Sequence, residues 1–471
     1  MHKEKQKREK KVESRKFVIK MQEGLLTEHP YAAGIDIGDT EIAVAIRSPE
    51  GGYEVQTFGT FSRDLDSIVS YLKDNSITTA AIESTGVYYV PLYLKLEEGA
   101  VEPYLVNARH VKNVTGRKKD DTDAIWLQKL HTCGLLQKSF QPTTEGRVLR
   151  DYVRHRKNLV TVGSDSVRRM QKALELMNVK IHTVISDLLG KTGMDMIRAI
   201  LDGQRDAREL AKFKDPRIKA NDQDIIKSLE GIWRQEHLFA LKQAYETYKF
   251  HQAQIQECDQ EIKMQLDKQT AIVNEGEIYS DEDKVILEAH GNQQKESMHK
   301  KKARKNEYKF DVRSYLVKLL SVDLCEIPGI SEITVMELIA EIGLDMDKWK
   351  SVKQFCAWLN LCPNTKISGG KVISSKIMKK KNHGGLCLRM AAMSVSTNKT
   401  ALGQYYRRMR GKLGGKGAVV ATANKMARII FTMLKDKKQY DVSIYETAQQ
   451  TFKANQIRFY EKRIAELKKS A

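Results

Sequence analysis

Four carboxylates in the first part of the chain have the residue types and positions expected of ligands for a divalent metal ion. They are Asp36, Glu83, Asp120 and Asp123. Asp120 and Asp123 stand at i and i+3, a spacing that puts both on one face of a helix. Carboxylate oxygens suit Mg²⁺, and two such ions can activate an attacking oxygen and stabilise a leaving one. Each acid taken singly also has an ordinary structural explanation: a turn cap, a surface residue or a helix N-terminus.

Ser368 is a second candidate for chemistry, in the turn Lys366-Ile367-Ser368-Gly369-Gly370-Lys371. A serine before Gly-Gly is ordinarily a turn residue. A serine nucleophile needs a base, a metal or an oxyanion sink. Lys366 and Lys371 cannot act as bases while protonated, but they can stabilise phosphoryl charge. From spacing alone, the structural and the catalytic roles both remain open.

Ser368 lies in a long basic segment without acids. Residues 348–435 contain 19 Lys and Arg but no Asp or Glu, which accounts for nearly all of the chain's net charge of +20. A field of one sign predicts an anionic partner, and the phosphate backbone of a nucleic acid is the natural one. A metal serving Ser368 must therefore come from carboxylates outside this segment. The candidate nucleic-acid contacts are Lys366, Lys371, Lys376, Lys379, Lys380, Lys381, Arg389, Arg407 and Arg408.

The composition excludes several other classes of protein. Apolar residues make up 41% of the 471 residues, so the chain can form folded cores. The six cysteines form no CxxC pair, which argues against a zinc site or a disulfide framework. The N-terminus is too charged for a signal peptide, and no apolar run reaches the length of a membrane span. We therefore expect a cytoplasmic protein with no membrane partner.

The elements that position the acids read as an α/β domain. Residues 31–107 predict three strands, a helix, and then alternating strand and helix, which is the order of an RNase H-like domain. Asp36 falls on the first strand and Glu83 at the end of a later one. A helix is predicted over 118–136. The predicted strands are 32–38, 41–46, 53–61, 79–83 and 101–106, with a helix expected at 87–96.

The remainder of the chain reads as mainly helical, with helices over 143–185 and 205–232. A 3–4 repeat from Leu238 to Leu266 indicates either a coiled-coil arm or one long amphipathic helix packed in cis. Residues 267–312 read as a polar linker. The turn at Pro328-Gly329 has helix-hairpin-helix character, in which backbone N–H groups would face a phosphate, although a plain helix connection is equally compatible.

These patterns predict a fold class of α/β plus α, in five segments. A basic arm covers 1–30, and we expect it to be flexible. A nuclease domain covers 31–142, with helices continuing to about 185. A helical or coiled-coil region with a linker covers 186–313, a helical domain with Ser368 covers 314–440, and a helical tail covers 441–471.

The chain resembles the DEDD transposases of bacterial insertion sequences, the IS one-ten family, and is closest to its eleven-eleven group. The resemblance covers roughly residues 31–440, and many motifs occur in the right order. In the first domain they are Gly34-Ile35-Asp36, Ile82-Glu83-Ser84-Thr85-Gly86 and Lys118-x-Asp120-x-x-Asp123-Ala124. In the second they are Ile327-Pro328-Gly329-Ile330, Leu361-Cys362-Pro363, Lys366-Ile367-Ser368-Gly369-Gly370-Lys371 and Ala401-Leu402-Gly403-x-x-x-Arg407-Arg408. The arm 1–30 and the stretch 270–300 are longer than in the family pattern.

The resemblance implies a RuvC-like domain in which Asp36, Glu83, Asp120 and Asp123 hold Mg²⁺. It implies that Ser368 forms a covalent 5′-phosphoserine link to DNA and joins the carboxylates of a neighbouring protomer, in a homo-oligomer that is a dimer or a tetramer. It also implies a structured noncoding guide RNA that pairs with donor and target DNA, and a bacterial, nucleoid-associated location. Two other hypotheses remain open: a metal-dependent nuclease of the junction-resolvase type with a structural Ser368, and a non-catalytic scaffold that binds RNA or DNA.

Overall fold

The computed structural model describes residues 16–17, 27–108, 111, 122–276, 306–380 and 382–470. The chain divides into two compact units, Met1–Gln141 and Pro142–Ala471. Most of the predicted basic arm 1–30 lies outside the described residues. The functional domain assignments made from the sequence stay predictions, because a packing unit does not by itself define a function.

The first unit contains a mixed sheet. Its described strands are β1 (Lys16–Phe17), β2 (Ala32–Ile37), β3 (Ile42–Arg47), β4 (Tyr53–Phe58), β5 (Thr79–Glu83) and β6 (Glu102–Val106). They lie in the order β1-β4-β3-β2-β5-β6. Neighbours from β1 to β2 run antiparallel, whereas β2, β5 and β6 run parallel. This mixed arrangement confirms the α/β class of the first unit and is consistent with an RNase H-like domain.

The two faces of this sheet carry different side chains, because successive residues of a strand point to opposite sides. Ile35 and Ile82 lie in the main core of the unit, together with Ile68 of α1 (Ser62–Asp74) and Leu92 of α2 (Tyr89–Glu98). On the opposite face, Ala81 packs with apolar residues of α3 (Asp123–Thr132). The central strands are thus buried on both sides.

Helix α3 is shorter than the predicted helix over 118–136. Within the described residues it begins at Asp123 and ends at Thr132. Gly134 has φ +66°, and the Leu135 N–H donates to the Leu130 carbonyl at 2.9 Å, which closes the helix end. Residues 112–121 lie outside the described residues. The error at the C-terminal end arose because the glycine stop was overlooked.

The second unit begins with a helical region. Its elements are α4 (Thr144–Leu176), α5 (Ile181–Val184), α6 (Lys191–Leu201), α7 (Ala207–Ala211), α8 (Asp222–Leu229) and α9 (Gln235–Gly276). The predicted helical character of 143–185 and 205–232 is confirmed, and turns divide each range into two helices.

Helices α4 and α9 pack antiparallel within the same chain. The thiol of Cys258 donates to the Tyr152 carbonyl at 3.3 Å, and Gly163 faces His251 further along. Leu241 and Ile262 of the predicted repeat are fully buried. The repeat therefore forms a long helix packed in cis, which was one of the two interpretations that the sequence left open.

The predicted linker over 267–312 begins too early. Helix α9 continues to Gly276, because Thr270 is buried and the Tyr315 hydroxyl donates to Asp267 at 2.6 Å. These contacts hold the last turns of the helix against the following element. Residues 277–305 lie outside the described residues.

The last part of the chain is also mainly helical. It contains α10 (Val312–Leu320), α11 (Glu332–Ile342), α12 (Val352–Trp358), the hairpin β7 (Lys366–Ser368) and β8 (Lys371–Ser374), α13 (His383–Ser394), α14 (Ala401–Asp436) and α15 (Val442–Ser470). Gly329, with φ +87°, leads into α11, and a Cβ there would lie 2.4 Å from Val395 Cγ1. Close packing thus explains the glycine of the Pro-Gly turn. Among the described residues, no helix has the length and apolar character needed to cross a membrane.

Candidate active site and nucleic-acid interface

Asp36 and Glu83 lie side by side on neighbouring parallel strands. The register pairs Ile35 of β2 with Ile82 of β5, and each acid comes one residue later. Their side chains therefore leave the same face of the sheet, on strands about 4.8 Å apart. Both residues are partly exposed. The C-terminal ends of two central strands thus place two carboxylate groups next to each other.

Helix α3 crosses the same face directly above β2. A Cβ at Gly34 would lie 2.2 Å from both the Ala124 carbonyl oxygen and the Gln128 nitrogen, so only glycine permits this approach. Asp36 is two residues after Gly34 and faces the same side. Asp123, the first residue of α3, precedes Ala124. This packing brings the start of α3 to the face that carries Asp36 and Glu83.

A buried amide attaches α3 to the sheet. The Gln128 side chain is fully buried, and its Nε2 donates to the Ala32 carbonyl at 3.1 Å and to Thr132 Oγ1 at 3.0 Å. The Thr122 hydroxyl caps the helix by accepting from the Ile125 N–H at 3.3 Å. Sequence reasoning named Gly34 only as part of a family motif, without its packing role, and did not identify Gln128. A glycine within an apolar strand was the available signal for a close approach.

The four predicted ligands are only partly brought together. Asp120 lies outside the described residues. In the described part of the chain, no three His, Cys, Asp or Glu residues form a cluster able to hold a metal ion. The structure thus pairs Asp36 with Glu83 and places Asp123 at the start of the covering helix. Carboxylate oxygens, with no thiolate or imidazole, fit a hard divalent cation.

Ser368 lies at the end of β7, in a tight and exposed hairpin. Gly369 and Gly370 have φ values of +54° and +74°, as required for a two-residue type I′ turn. Ser368 pairs with Lys371 across the hairpin, so the hydroxyl and the ammonium group have neighbouring positions. Ser368 is exposed, and no acid occurs between residues 348 and 435. The hairpin therefore presents the serine in a basic surrounding.

The lysines around this hairpin are exposed. Lys366, Lys371, Lys376, Lys379 and Lys380 all have exposed side chains, while Lys381 lies outside the described residues. The buried Asn360 holds the backbone of this segment, because its Nδ2 donates to the carbonyls of Met378 and Lys380 at 2.9 and 3.1 Å. A fixed backbone with outward lysines is suited to contacts with phosphates.

Two of the candidate contacts, Arg389 and Arg407, donate hydrogen bonds to backbone carbonyls of the protein. Arg389 donates to the Asn360 carbonyl at 2.7 Å, and burial lowers the pKa of its guanidinium. Arg407 donates to the carbonyls of Ser396 and Asn398 at 3.1 and 2.8 Å. Both arginines thus have structural partners that the sequence did not reveal. Arg408 differs, because its guanidinium lies over the Tyr405 ring at 5.3 Å.

The carboxylate pair on the sheet suits a metal ion that acts on phosphates, and the basic segment 348–435 suits binding of a nucleic-acid backbone. Comparison with protein families defines the class more closely. A model for DEDD transposases matches residues 33–179, and a model for the transposase IS116/IS110/IS902 family matches residues 323–407. The first match includes Asp36, Glu83, Asp120 and Asp123, and the second includes Ser368. The protein is therefore a DNA transposase.

The chain belongs to the IS110 family of DEDD transposases. Membership in this family implies a divalent metal and a DNA substrate. No curated protein matches the chain.

Proposed function

We propose that this chain is an RNA-guided, site-specific DNA transposase that cleaves and rejoins the DNA of an insertion sequence. Ser368 is the nucleophile, and Asp36, Glu83, Asp120 and Asp123 hold Mg²⁺. The observation that carries this proposal is the division of chemical groups along the chain. Paired carboxylates lie on the sheet of the first unit, whereas Ser368 lies in a segment of 19 cations with no acid.

The serine step conserves the number of phosphoester bonds. Ser368 Oγ attacks the scissile phosphorus, the new O–P bond forms, and the bond from phosphorus to the 3′ oxygen breaks. The serine proton leaves the hydroxyl, and the 3′ oxygen takes up a proton. Attack by another 3′ hydroxyl on the phosphoserine reverses these changes, so strands are rejoined without ATP.

Each group in the site has a distinct task. The four carboxylates would hold Mg²⁺, which would supply positive charge to polarise the phosphate. Lys371, paired with Ser368 across the hairpin, and Lys366 place positive charge beside the phosphate. The type I′ turn holds Ser368 at an exposed tip, where a DNA strand can reach it.

The site is composite in this proposal. Residues 348–435 cannot supply a metal ligand to Ser368, because they contain no carboxylate. The carboxylates that serve Ser368 must lie outside this segment, and the resemblance to the transposase family implies that a neighbouring protomer of a dimer or a tetramer supplies them. Mixing Ser368→Ala protein with Asp36→Asn protein tests this step. Restored cleavage supports a site shared between protomers, and complete inactivity of the mixture contradicts it.

The serine mechanism is tested by trapping the covalent adduct on labelled donor DNA. Ser368→Ala should abolish both cleavage and the adduct, whereas Ser375→Ala, an exposed serine just after β8, should retain both. Asp36→Asn should abolish cleavage but keep DNA binding. Cleavage by Ser368→Ala without an adduct would instead identify a metal-dependent nuclease of the junction-resolvase type.

The guide RNA is tested separately. The net charge of +20 supports binding of a polyanion but does not specify which one. RNA that co-purifies with the protein should be a single structured transcript from the flank of the element. A random mixture of cellular RNA would contradict guidance, while the serine mechanism would stand or fall by the adduct alone.

A further inference from the structure

Helix α14 is interrupted by a sharp bend. Gly414 has φ +72° and ψ +175°, which are not helical values. Arg408 lies close enough to Lys425 to lower its pKa, yet in a straight helix these residues would be about 25 Å apart. A Cβ at Gly417 would lie 2.6 Å from Leu413 Cβ. The two limbs of α14 therefore fold towards each other at Gly414.

Neither packing nor backbone conformation requires glycine at two further positions of this bend, Gly411 and Gly415. A Cβ at Gly411 or Gly415 would meet nothing within 4 Å, and neither residue has a positive φ. Glycine is unfavourable in a helix, so both positions lower helix stability without improving packing. What glycine does permit is the close approach of another molecule to the backbone.

The surface around these glycines is strongly basic. Arg410, Lys412 and Lys416 are exposed, and in the described residues none of them forms an ion pair with a carboxylate. On the limbs, burial lowers the pKa of Lys425, and nearby Arg428 and Arg408 lower it further. Like charges repel, and no nearby acid in the sequence compensates these cations. Binding of a polyanion would therefore be favourable here.

We propose that residues 410–417, the α14 bend, form a contact surface for the phosphodiester backbone of a nucleic acid. Arg410, Lys412 and Lys416 contact phosphates, and the open sides of Gly411 and Gly415 let the strand approach the helix. Contacts of this kind position a strand and do not read its sequence. The inference rests on the proposed function, because only a nucleic-acid enzyme would have a strand to place here.

Arg407 is not part of this surface. Its guanidinium is engaged with the carbonyls of Ser396 and Asn398, in the connection between α13 and α14. Its role is to hold that connection, although it is only three residues before Arg410.

The test measures binding in a Ser368→Ala background, so that no cleavage occurs. The triple variant Arg410→Gln, Lys412→Gln, Lys416→Gln is compared with a control that replaces three exposed lysines outside the acid-free segment, Lys219, Lys249 and Lys263. Fluorescence anisotropy gives the affinity for a duplex DNA and for a single-stranded RNA over a series of salt concentrations.

Affinity falls as the salt concentration rises, and the slope of log K against log salt concentration measures the number of phosphate contacts. Loss of three contacts should make this slope shallower by about 2.7 on duplex DNA, or by about 2.1 on a single strand. At physiological salt this corresponds to roughly 100-fold weaker binding of the duplex. The control with three replaced lysines should bind both nucleic acids with the affinity of the Ser368→Ala protein. Weakening with duplex DNA alone identifies DNA as the occupant, and weakening with RNA alone identifies RNA. Unchanged affinity and slope with both overturn the proposal.

A second variant, Gly411→Ala with Gly415→Ala, keeps the test decisive if the charge variant folds poorly. The added methyl groups meet open space, so the melting temperature should not fall. Binding should weaken, because the methyl groups occupy the approach to the backbone. Wild-type affinity in a stable glycine variant would contradict the proposal. Failure of the serine mechanism would appear separately, as cleavage by Ser368→Ala.

Discussion

Replacing Gly34 by alanine should separate helix α3 from strand β2 and disturb the carboxylate site. The added Cβ would lie 2.2 Å from the Ala124 oxygen and the Gln128 nitrogen, and 2.8 Å from Gln128 Cα. All three are backbone atoms, so no rotamer change can relieve the overlap. Ordinary contact begins near 3.4 Å, and α3 must therefore move outward by roughly 1.2 Å.

The size of the effect follows from this displacement. Overpacking of this kind costs about 1–3 kcal/mol in the free energy of unfolding. For a unit of this size, each kcal/mol lowers the melting temperature by about 2–4 °C. A shift of about 1 Å in a catalytic group can cost roughly 100-fold in rate. Asp123, a proposed metal ligand, begins the displaced helix, so under that proposal DNA cleavage should fall by about that factor.

The assay combines thermal unfolding with cleavage of donor DNA. Gly163→Ala is the matched control, because its Cβ would come no closer than 3.9 Å to His251 within a continuous helix. This control should be as stable as the wild type or slightly more so, and fully active. If Gly34→Ala melted and cleaved like the wild type, the packing of α3 on β2 and its role in positioning Asp123 would both be refuted.

Two predictions concern buried polar groups. Arg156 and Asp259 form a buried ion pair between α4 and α9, with Arg156 also stacked on the Tyr308 ring at 3.9 Å. Asp259→Ala leaves the arginine uncompensated and should lower the free energy of unfolding by about 3–5 kcal/mol in urea titrations; an apolar replacement of both partners should recover most of this loss. An equal loss in the double variant would contradict that reasoning. Burial, reinforced by nearby His29, lowers the pKa of His131 to about 4. The unfolded chain then binds the proton more tightly. The contribution of His131 to the free energy of unfolding is fully present above about pH 6.5. It is lost as the pH falls towards 4, by up to about 1.4 kcal/mol per pH unit. His131→Gln should flatten this part of the profile, and an unchanged profile would exclude His131 as its source.

Local patterns in the sequence were enough to predict the α/β first unit and the mainly helical second unit. The short apolar runs that contain Asp36 and precede Glu83 can be read from each segment alone, and the absence of acids around Ser368 can be read directly from the sequence. Family motifs then indicated a DEDD transposase, which the family comparisons confirm. The metal ligands and the serine nucleophile stay predictions.

Element ends and side-chain partners could not be predicted in the same way. The continuation of α9 to Gly276 depends on the burial of Thr270 and on the hydrogen bond from Tyr315 to Asp267, which the local pattern does not contain. Arg389 and Arg407 looked like any other cation of the basic segment. Only the fold showed that they donate to backbone carbonyls.

The sequence by itself determined the candidate groups for chemistry: four carboxylates, a serine that precedes two glycines in a turn flanked by lysines, and a basic segment without acids. The tertiary structure decided which of them are neighbours. Strand register places Asp36 beside Glu83, and the missing side chain of Gly34 lets α3 close over them. The physical reason is that strand pairing and helix packing bring together residues that are far apart in the sequence. A local sequence pattern contains no information about such contacts.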